Sequence, residues 1–324
     1  MSSTCPAGWS ILWYGEQGHP EPFGTPLRAG SVKGLFAYSI EILRSAQNDK
    51  RETGNMKIAF IGGGNMGEAM LSALISKGIA GKKDISVSEP LESRRQFLSE
   101  SYGVKVTPEN PQAIAAADVI VFAVKPQTLP TVSAELAGRL KPGQLLVSII
   151  AGARIETLRN GLNHKSIVRS MPNTPAQIGE GVTVWTATPK VTAAQKKLAG
   201  EILGAMGKEI YVDDERYLDM ATAVSGSGPA YLFYFVESFI DAAVAIGWSR
   251  DLAKELAMGT VLGAAHLLEK SGKEAADLRR AVTSPSGTTA AAISVLEEGK
   301  FTGLMARAIA AAHERAKELG GTKR

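Results

Sequence analysis

Residues 56–67 read MKIAFIGGGNMG, and this stretch decides the fold. An apolar run, Ile58-Ala59-Phe60-Ile61, meets Gly62-x-Gly64-x-x-Gly67, and a helical pattern follows. Strand, glycine turn and helix in that order are the context that a dinucleotide-binding fingerprint requires. Gly62 permits the tight turn, Gly64 lets the backbone come close to a pyrophosphate, and Gly67 lets helix and strand pack closely. The helix start, with Asn65 and Met66, offers N–H groups to the phosphates. Three glycines alone also fit a purely structural turn; the flanking strand and helix favour the nucleotide site.

Upstream lie 55 residues with seven Gly, four Pro, five basic and five acidic residues and no sustained period. No charged n-region leads into an apolar segment, so they do not read as a signal peptide. Their acids argue against a transit sequence. Residues 39–49 suit one short helix. Segment 1–55 is expected to be a poorly ordered extension or a misassigned start, with Met56 as a natural initiator. An interaction arm is the alternative.

From Met56 to about residue 214, apolar strands alternate with helical stretches. The strands are expected at 57–61, 84–88, 104–106, 118–124, 144–150, 166–170, 182–187 and 208–212. The helices are expected at 66–77, 91–101, 111–116, 128–138, 154–160 and 191–205. Such alternation argues a parallel sheet with helices on both faces. The run Val119-Ile120-Val121-Phe122-Ala123-Val124 is apolar on both faces, as a central parallel strand should be.

Beyond Asp213 the strand signals stop. Helices are expected at 216–224, 229–247, 250–270, 274–281, 288–298 and 304–319. Helix 229–247 is apolar almost all round, and 250–270 carries Gly259 and Gly263 amid Ala. An all-round apolar helix must be buried. Burying it within one 110-residue bundle (215–324) is difficult, so a second subunit is the expected cover. The fold class is therefore α/β: an N-terminal Rossmann-type parallel sheet over 56–214, then an all-α helical dimerisation domain over 215–324.

Composition excludes several classes. The 269 residues left after removing 55 from 324 suit two domains. The only cysteine is Cys5, so residues 56–324 hold no disulfide, thiol nucleophile or cysteine metal site. The four histidines, at 19, 164, 266 and 313, show no ligand spacing. No metal is expected. A net charge of +4, without a basic stripe interleaved with aromatics, argues against nucleic acid and suits small anions. The most apolar stretch, 230–248, is broken by Glu237 and Asp241 and reads as a buried helix, not a membrane span. A cytoplasmic protein is expected.

Four segments besides the glycine turn sit where α/β proteins place ligands. Ala123-Val124-Lys125-Pro126 follows the fourth strand, so Lys125 either faces the cofactor crevice or is a solvated loop lysine. Ala151-Gly152 follows the fifth strand, and such small residues give access to a flat ring. Met171-Pro172-Asn173-Thr174-Pro175 follows the sixth. There Asn173 either holds the carboxamide of a nicotinamide or caps a rigid turn. In Ser225-Gly226-Ser227-Gly228-Pro229-Ala230-Tyr231, Pro229 suits a first helical turn and Ser227 its cap. Ser284-Pro285-Ser286-Gly287-Thr288-Thr289 opens another helix. A cap explains one hydroxyl there; five hydroxyl or glycine positions in six residues fit a bound carboxylate.

VKPQ, MPNTP, SGSGPAY and SPSGTT, in this order behind GGGNMG, resemble the pyrroline-5-carboxylate reductase family over 56–324. The resemblance implies reduction of 1-pyrroline-5-carboxylate by NAD(P)H to L-proline, the last step of proline synthesis. It implies a homodimer swapped through the helical domain, often built into larger rings. Segment 1–55 has no counterpart in the pattern. By resemblance, Ser284, Ser286, Gly287, Thr288 and Thr289 bind the substrate carboxylate, and Ser225 is placed on the substrate side. The Thr289 hydroxyl is implied to hydrogen-bond the ring nitrogen, an orienting and relaying role, since Thr is too weak an acid to be the sole proton source. Lys125 and Asn110 are implied near the nicotinamide-side and ribose parts of the cofactor. Ala151, Gly152, Met171 and Asn173 are implied to line the nicotinamide pocket. Hydride transfer to C=N needs no His or Cys, which matches their scarcity.

Cofactor preference rests on Glu89, at the end of the second strand. A carboxylate there accepts the ribose 2′-OH of NAD and repels a 2′-phosphate. Arg94 and Arg95 offer a phosphate site instead. The resemblance implies dual use with NADPH favoured over NADH, and Glu89 opposes that ranking. Two rivals stay open: another two-domain Rossmann imine or hydroxyacid oxidoreductase, and a non-catalytic nucleotide-sensing protein.

Overall fold

A computed structural model describes residues 56–321. The expectation for 1–55 lies outside the described residues. One eight-stranded sheet runs in the order β3-β2-β1-β4-β5-β6-β7-β8. Its strands are β1 (Ile58–Ile61), β2 (Ile85–Ser88), β3 (Lys105–Thr107), β4 (Val119–Phe122), β5 (Leu145–Ser148), β6 (Ile167–Met171), β7 (Gly181–Ala187) and β8 (Gly207–Tyr211). The helices between them are α1 (Asn65–Ser76), α2 (Glu92–Tyr102), α3 (Asn110–Ile114), α4 (Leu129–Leu136), α5 (Ile155–Leu162) and α6 (Ala193–Gly204).

The central strands β1, β4 and β5 are short and buried, so each feeds both faces of the sheet. Ile58 and Phe60 of β1 enter one core with Met70, Leu71, Val87 and Leu98. Ala59 and Ile61 enter the other with Ile120, Phe122, Leu136 and Leu158. The split follows the two-residue period of a strand. β1 lies between β2 and β4, in register Ile58↔Ile85 and Ile58↔Val119. The chain order reverses at that point, and the crevice above it is where open α/β sheets bind ligands.

The sheet is parallel-dominated, as the alternation argues, with one antiparallel step. β7 runs antiparallel to β6, with Val168 opposite Ala187, and β8 is parallel to β7. Residues 172–180 between β6 and β7 hold only a 3₁₀ turn, Thr174–Ile178. That is too short for a parallel crossover, which takes a dozen or more residues. The chain therefore doubles back.

From Arg216 the chain is helical: α7 (Arg216–Ala221), α8 (Gly228–Ala245), α9 (Arg250–Ser271), α10 (Ala275–Ala281), α11 (Thr288–Glu298) and α12 (Phe301–Leu319). The single helix expected over 216–224 breaks at Ala221 into a wide π-type turn, Thr222–Gly226. The Ser227 N–H donates to the Thr222 carbonyl, five residues back, at 2.8 Å. The Ser227 hydroxyl donates to the same carbonyl at 2.9 Å, so Ser227 closes the turn and does not cap α8. Hydroxyl back-bonds from Thr222 to Leu218 O and from Ser225 to Ala221 O add to the bend. Pro229 sits in the first turn of α8 as expected.

α8 has no buried residue in the single chain, although Phe233, Tyr234, Phe235 and Phe239 lie on it. A Cβ placed at Gly259 or Gly263 of α9 meets nothing within 4 Å. The close approach that these small residues permit is not made within one chain.

A buried ionic cluster ties β6 to α7. Arg169, 2% exposed, donates to Glu215 at 2.8 Å and to Asp219 at 3.1 Å. Arg154 donates to Asp219 at 3.0 Å and, through Nε, to the Gly320 carbonyl at 2.7 Å. Glu215 also accepts the Ile155 N–H at the start of α5.

Candidate active site

The glycine turn is anchored on both neighbouring strands. The Gly62 N–H donates to Ser88 O at 2.8 Å, and the Ala123 N–H donates to Ile61 O at 2.9 Å. Gly62 has φ +99°, and a Cβ there would stand 2.8 Å from Ala123 O. A Cβ on Gly67 would meet Gly62 O at 2.8 Å, so α1 can cross β1 closely only with glycine. Gly64 differs: it has ordinary φ, and its Cβ would meet nothing within 4 Å.

That open space belongs to a cavity of 380 Å³ above the β1/β4 crevice. Gly62, Gly64, Glu89, Asn110, Ala123, Val124 and Lys125, seven of the candidate cofactor residues, all line it. Asn65, Met66 and Gly67 form the first turn of α1, which carries no side-chain cap. Its leading N–H groups are therefore left for an anion. The cavity wall also holds Ser88, 1% exposed, whose hydroxyl has no hydrogen-bond partner. An orphaned buried hydroxyl is costly unless a bound group satisfies it. The space at Gly64, the uncapped helix and the free Ser88 hydroxyl together fit a dinucleotide.

Glu89 is only 8% exposed, and its carboxylate accepts the N–H of Gly63 at 2.9 Å and of Leu91 at 3.1 Å. The acid thus fastens the glycine turn while remaining in the cavity wall. The two arginines expected as a phosphate site are engaged elsewhere. Arg94 donates through Nε to Gly63 O at 2.6 Å and pairs with Glu68; Arg95 donates to the carbonyls of Glu89 and Pro90. Neither lines the cavity. Burial pushes the Glu68 carboxyl up, but hydrogen bonds from Tyr102 and Arg94 outweigh this and hold it below its usual range. The Arg94 pairing also offsets a negative charge that would oppose a phosphate at the start of α1.

Other expected residues fall elsewhere. Pro126, Ala151 and Gly152 line a second cavity of 530 Å³ with α4, α5 and the end of α12, where a Cβ on Gly152 would meet Leu319 at 3.2 Å. Asn110, in the wall of the first cavity, opens α3 and donates to Glu135 of the same wall at 2.7 Å. The Asn173 amide nitrogen donates to Ser225 O at 3.1 Å, and its oxygen accepts the Val182 N–H at 2.8 Å. Asn173 therefore braces the MPNTP loop against the SGSGPAY segment, and its oxygen is already engaged. A Cβ on Gly226 would touch Met171 at 2.8 Å, so those two segments also meet. Ser284, Ser286, Gly287, Thr288 and Thr289 line neither cavity. They form a tight turn in which the Gly287 N–H donates to Ser284 O at 3.1 Å, with Ser286 at φ +58°. A non-glycine residue in that region stores strain of the kind that gathers at ligand sites. No side chain caps α11, which begins at Thr288.

Among the described residues, no group of His, Cys, Asp or Glu is arranged to hold a metal ion. No described helix is long and apolar enough to cross a membrane.

Comparison with known proteins decides the family. A profile described as pyrroline-5-carboxylate reductase dimerisation matches residues 215–319. Another, described as NADP oxidoreductase, coenzyme F420-dependent, matches 57–152. The pyrroline-5-carboxylate reductase of Pseudomonas aeruginosa is 42% identical over 264 residues, covering 81% of this chain and 96% of that protein. That of Synechocystis is 40% identical over 266 residues, covering 82% and 99%. The chain belongs to the pyrroline-5-carboxylate reductase family. Among solved members, the reductase from Coxiella burnetii matches with a TM-score of 0.76 at 38% identity, covering 82% of this chain and 99% of that one. The Plasmodium falciparum pyrroline carboxylate reductase with NADP bound matches with a TM-score of 0.75 at 32% identity, covering 82% and 98%.

In this family member the sequence reading missed Ser88, Pro108, Thr128, Thr131 and Glu135 of the cavity wall. Ser88 carried a usable signal, a small polar residue ending an apolar strand beside the glycine turn. Thr128, Thr131 and Glu135 lie on helical positions that the chain order alone does not bring to the crevice.

Proposed function

We propose that this chain is an oxidoreductase that reduces 1-pyrroline-5-carboxylate to L-proline with NAD(P)H, the last step of proline biosynthesis. The carrying observation is an uncapped, glycine-lined cavity in a chain 42% identical, over 81% of its length, to a named pyrroline-5-carboxylate reductase. The matched relatives do not favour the rival oxidoreductase and sensor readings.

Bound NAD(P)H supplies a hydride to the carbon of the C=N bond. The chain binds and orients. Gly62, Gly64 and Gly67 shape the phosphate turn, and the N–H groups of Asn65 and Met66 hold the pyrophosphate. Glu89 and Asn110 flank the ribose portions. Lys125, in the loop after β4 between Val124 and Pro126, lies toward the nicotinamide side of the cofactor. Ala151, Gly152, Met171 and Asn173 shape the nicotinamide side. Ser284, Ser286, Gly287 and Thr288 hold the substrate carboxylate at the uncapped start of α11, with Ser225 on the substrate side. Thr289 hydrogen-bonds the ring nitrogen, orients the imine and relays the proton that this nitrogen gains.

The division into a dinucleotide-binding domain over 56–214 and a helical substrate domain over 215–324 is part of this reading. So are a homodimer through the helical domain, a larger ring of dimers, and a cytoplasmic location beside the NAD(P)H pool. The bare aromatic face of α8 supports the dimer. The reading is tested by following NAD(P)H absorbance in purified protein with and without pyrroline-5-carboxylate. Folded protein that oxidises neither cofactor would overturn it.

A further inference from the structure

The cavity beside the glycine turn has a charge pattern that discriminates between the two nicotinamide cofactors. They differ by one group, the 2′-phosphate of NADPH, which replaces a 2′-OH of NADH. In a sheet of this kind that position lies at the carboxyl end of β2. Here the chain places Ser88 and then Glu89, both in the cavity wall. Glu89 is nearly buried and cannot swing aside without giving up the N–H groups of Gly63 and Leu91. Its charge is thereby fixed at the cavity. Each carboxylate oxygen has accepted one bond and has a second lone pair to offer a hydroxyl. The neighbouring Ser88 hydroxyl has no partner at all.

A 2′-phosphate would need a cation at the same place. Arg94 is turned to Gly63 O and Glu68, and Arg95 to the carbonyls of Glu89 and Pro90. Lys125, at the end of β4, is the only basic side chain in the described cavity wall, where the acids are Glu89 and Glu135. The end of β2 therefore offers acceptors to a ribose diol and a fixed negative charge to a phosphate.

We propose that Glu89 makes this chain prefer NADH over NADPH, reading the ribose 2′-OH with its free lone pairs and repelling the 2′-phosphate. This rests on the dinucleotide reading of the cavity and refines its cofactor. The opposite preference would require a cation brought into the cavity wall at the end of β2 that outweighs the Glu89 carboxylate.

The test is equilibrium binding of NADH and of NADPH to the full chain by calorimetry, together with kcat/KM for each cofactor with pyrroline-5-carboxylate. Wild type, Glu89→Ser and Glu89→Gln are compared. Gln keeps an acceptor for the Gly63 N–H while removing the charge, so it guards against a loss that is merely structural. Wild type is expected to bind NADH more tightly. In both variants the NADH:NADPH affinity ratio is expected to move toward NADPH by roughly tenfold or more, the scale of a like-charge contact near a protein surface. Tighter NADPH binding by wild type, or an unchanged ratio in Glu89→Gln, overturns the proposal. Tighter NADH binding without turnover of pyrroline-5-carboxylate would support it while sinking the proposed reaction.

Discussion

At the residue scale, the turn separates glycines whose Cβ would clash from one that faces open space. Gly62→Ala forces a side chain into φ +99° and toward Ala123 O at 2.8 Å. It is expected to cost of order 1–3 kcal/mol, read from the denaturation midpoint. Gly64→Ala keeps an allowed backbone, since Gly64 sits at φ −69° and ψ 179°. Its stability should stay within about 1 kcal/mol while cofactor Kd rises roughly tenfold, because the new methyl occupies the approach of a pyrophosphate. Equal effects of the two substitutions on stability would contradict this division. Thr289→Ala is expected to lower kcat roughly 10- to 150-fold, the worth of a hydrogen bond to a charged group, with little change in cofactor binding. Thr289→Ser should restore most activity. A variant that only lost stability, with kcat intact, would leave Thr289 a packing residue. His164 is buried, with Nε2 2.9 Å from Gln144 O. Burial pulls its pKa below the usual value and outweighs the opposing hydrogen bonds to the backbone of Gln144 and Ser166. The unfolded chain therefore takes up a proton on His164 before the folded one does. Stability should be full above about pH 6.5 and fall as the pH drops through that range. Melting curves between pH 8 and pH 5.5 check this, and His164→Gln should flatten the slope.

At the element scale, the contact between β6 and α7 rests on Arg169 between Glu215 and Asp219. Removing the cation leaves two carboxylates facing each other, with only Arg154 to serve Asp219. Arg169→Met is expected to destabilise by about 3–5 kcal/mol. A loss under about 1 kcal/mol in urea unfolding would mean that solvent reaches the cluster. Its effect on activity should follow the folded fraction, since none of the four residues lines the dinucleotide cavity. The π-type turn at Thr222–Gly226 sits in the same region and presents Ser225 O to Asn173. The loop after β6 and the start of the helical half are thus braced at one point.

At the scale of the whole molecule, the helical half is unfinished as a single chain. Phe233 is 64% exposed and Tyr234 72%, and the aromatic face of α8 continues through Phe235 and Phe239. Burying each such side chain is worth about 1.5–3 kcal/mol, so the face is a strong driver of association. Light scattering at micromolar concentration should give at least twice the chain mass, with a melting temperature that rises with concentration. Phe235→Glu should weaken that assembly; a stable wild-type monomer would refute it.

The elements are specified locally, by the residues that form them. Each of the eight strands lies within three residues of its expected limits, because short apolar runs bounded by Gly, Pro and charge leave little freedom. The dinucleotide turn was equally legible: Gly62, Gly64 and Gly67 act through backbone geometry, which is local. The direction of β7 is not written in its residues, since a two-residue period is the same in parallel and antiparallel strands, and it emerges only from the folded arrangement. That arrangement alone decided that Glu89 holds Gly63 and that Arg94 and Arg95 turn away from the cavity. It alone joined Arg169 to Glu215 and Asp219, 46 and 50 residues further along. Hydrophobic period is written along the chain, whereas the partner of a buried charge is chosen by which segments the fold brings side by side.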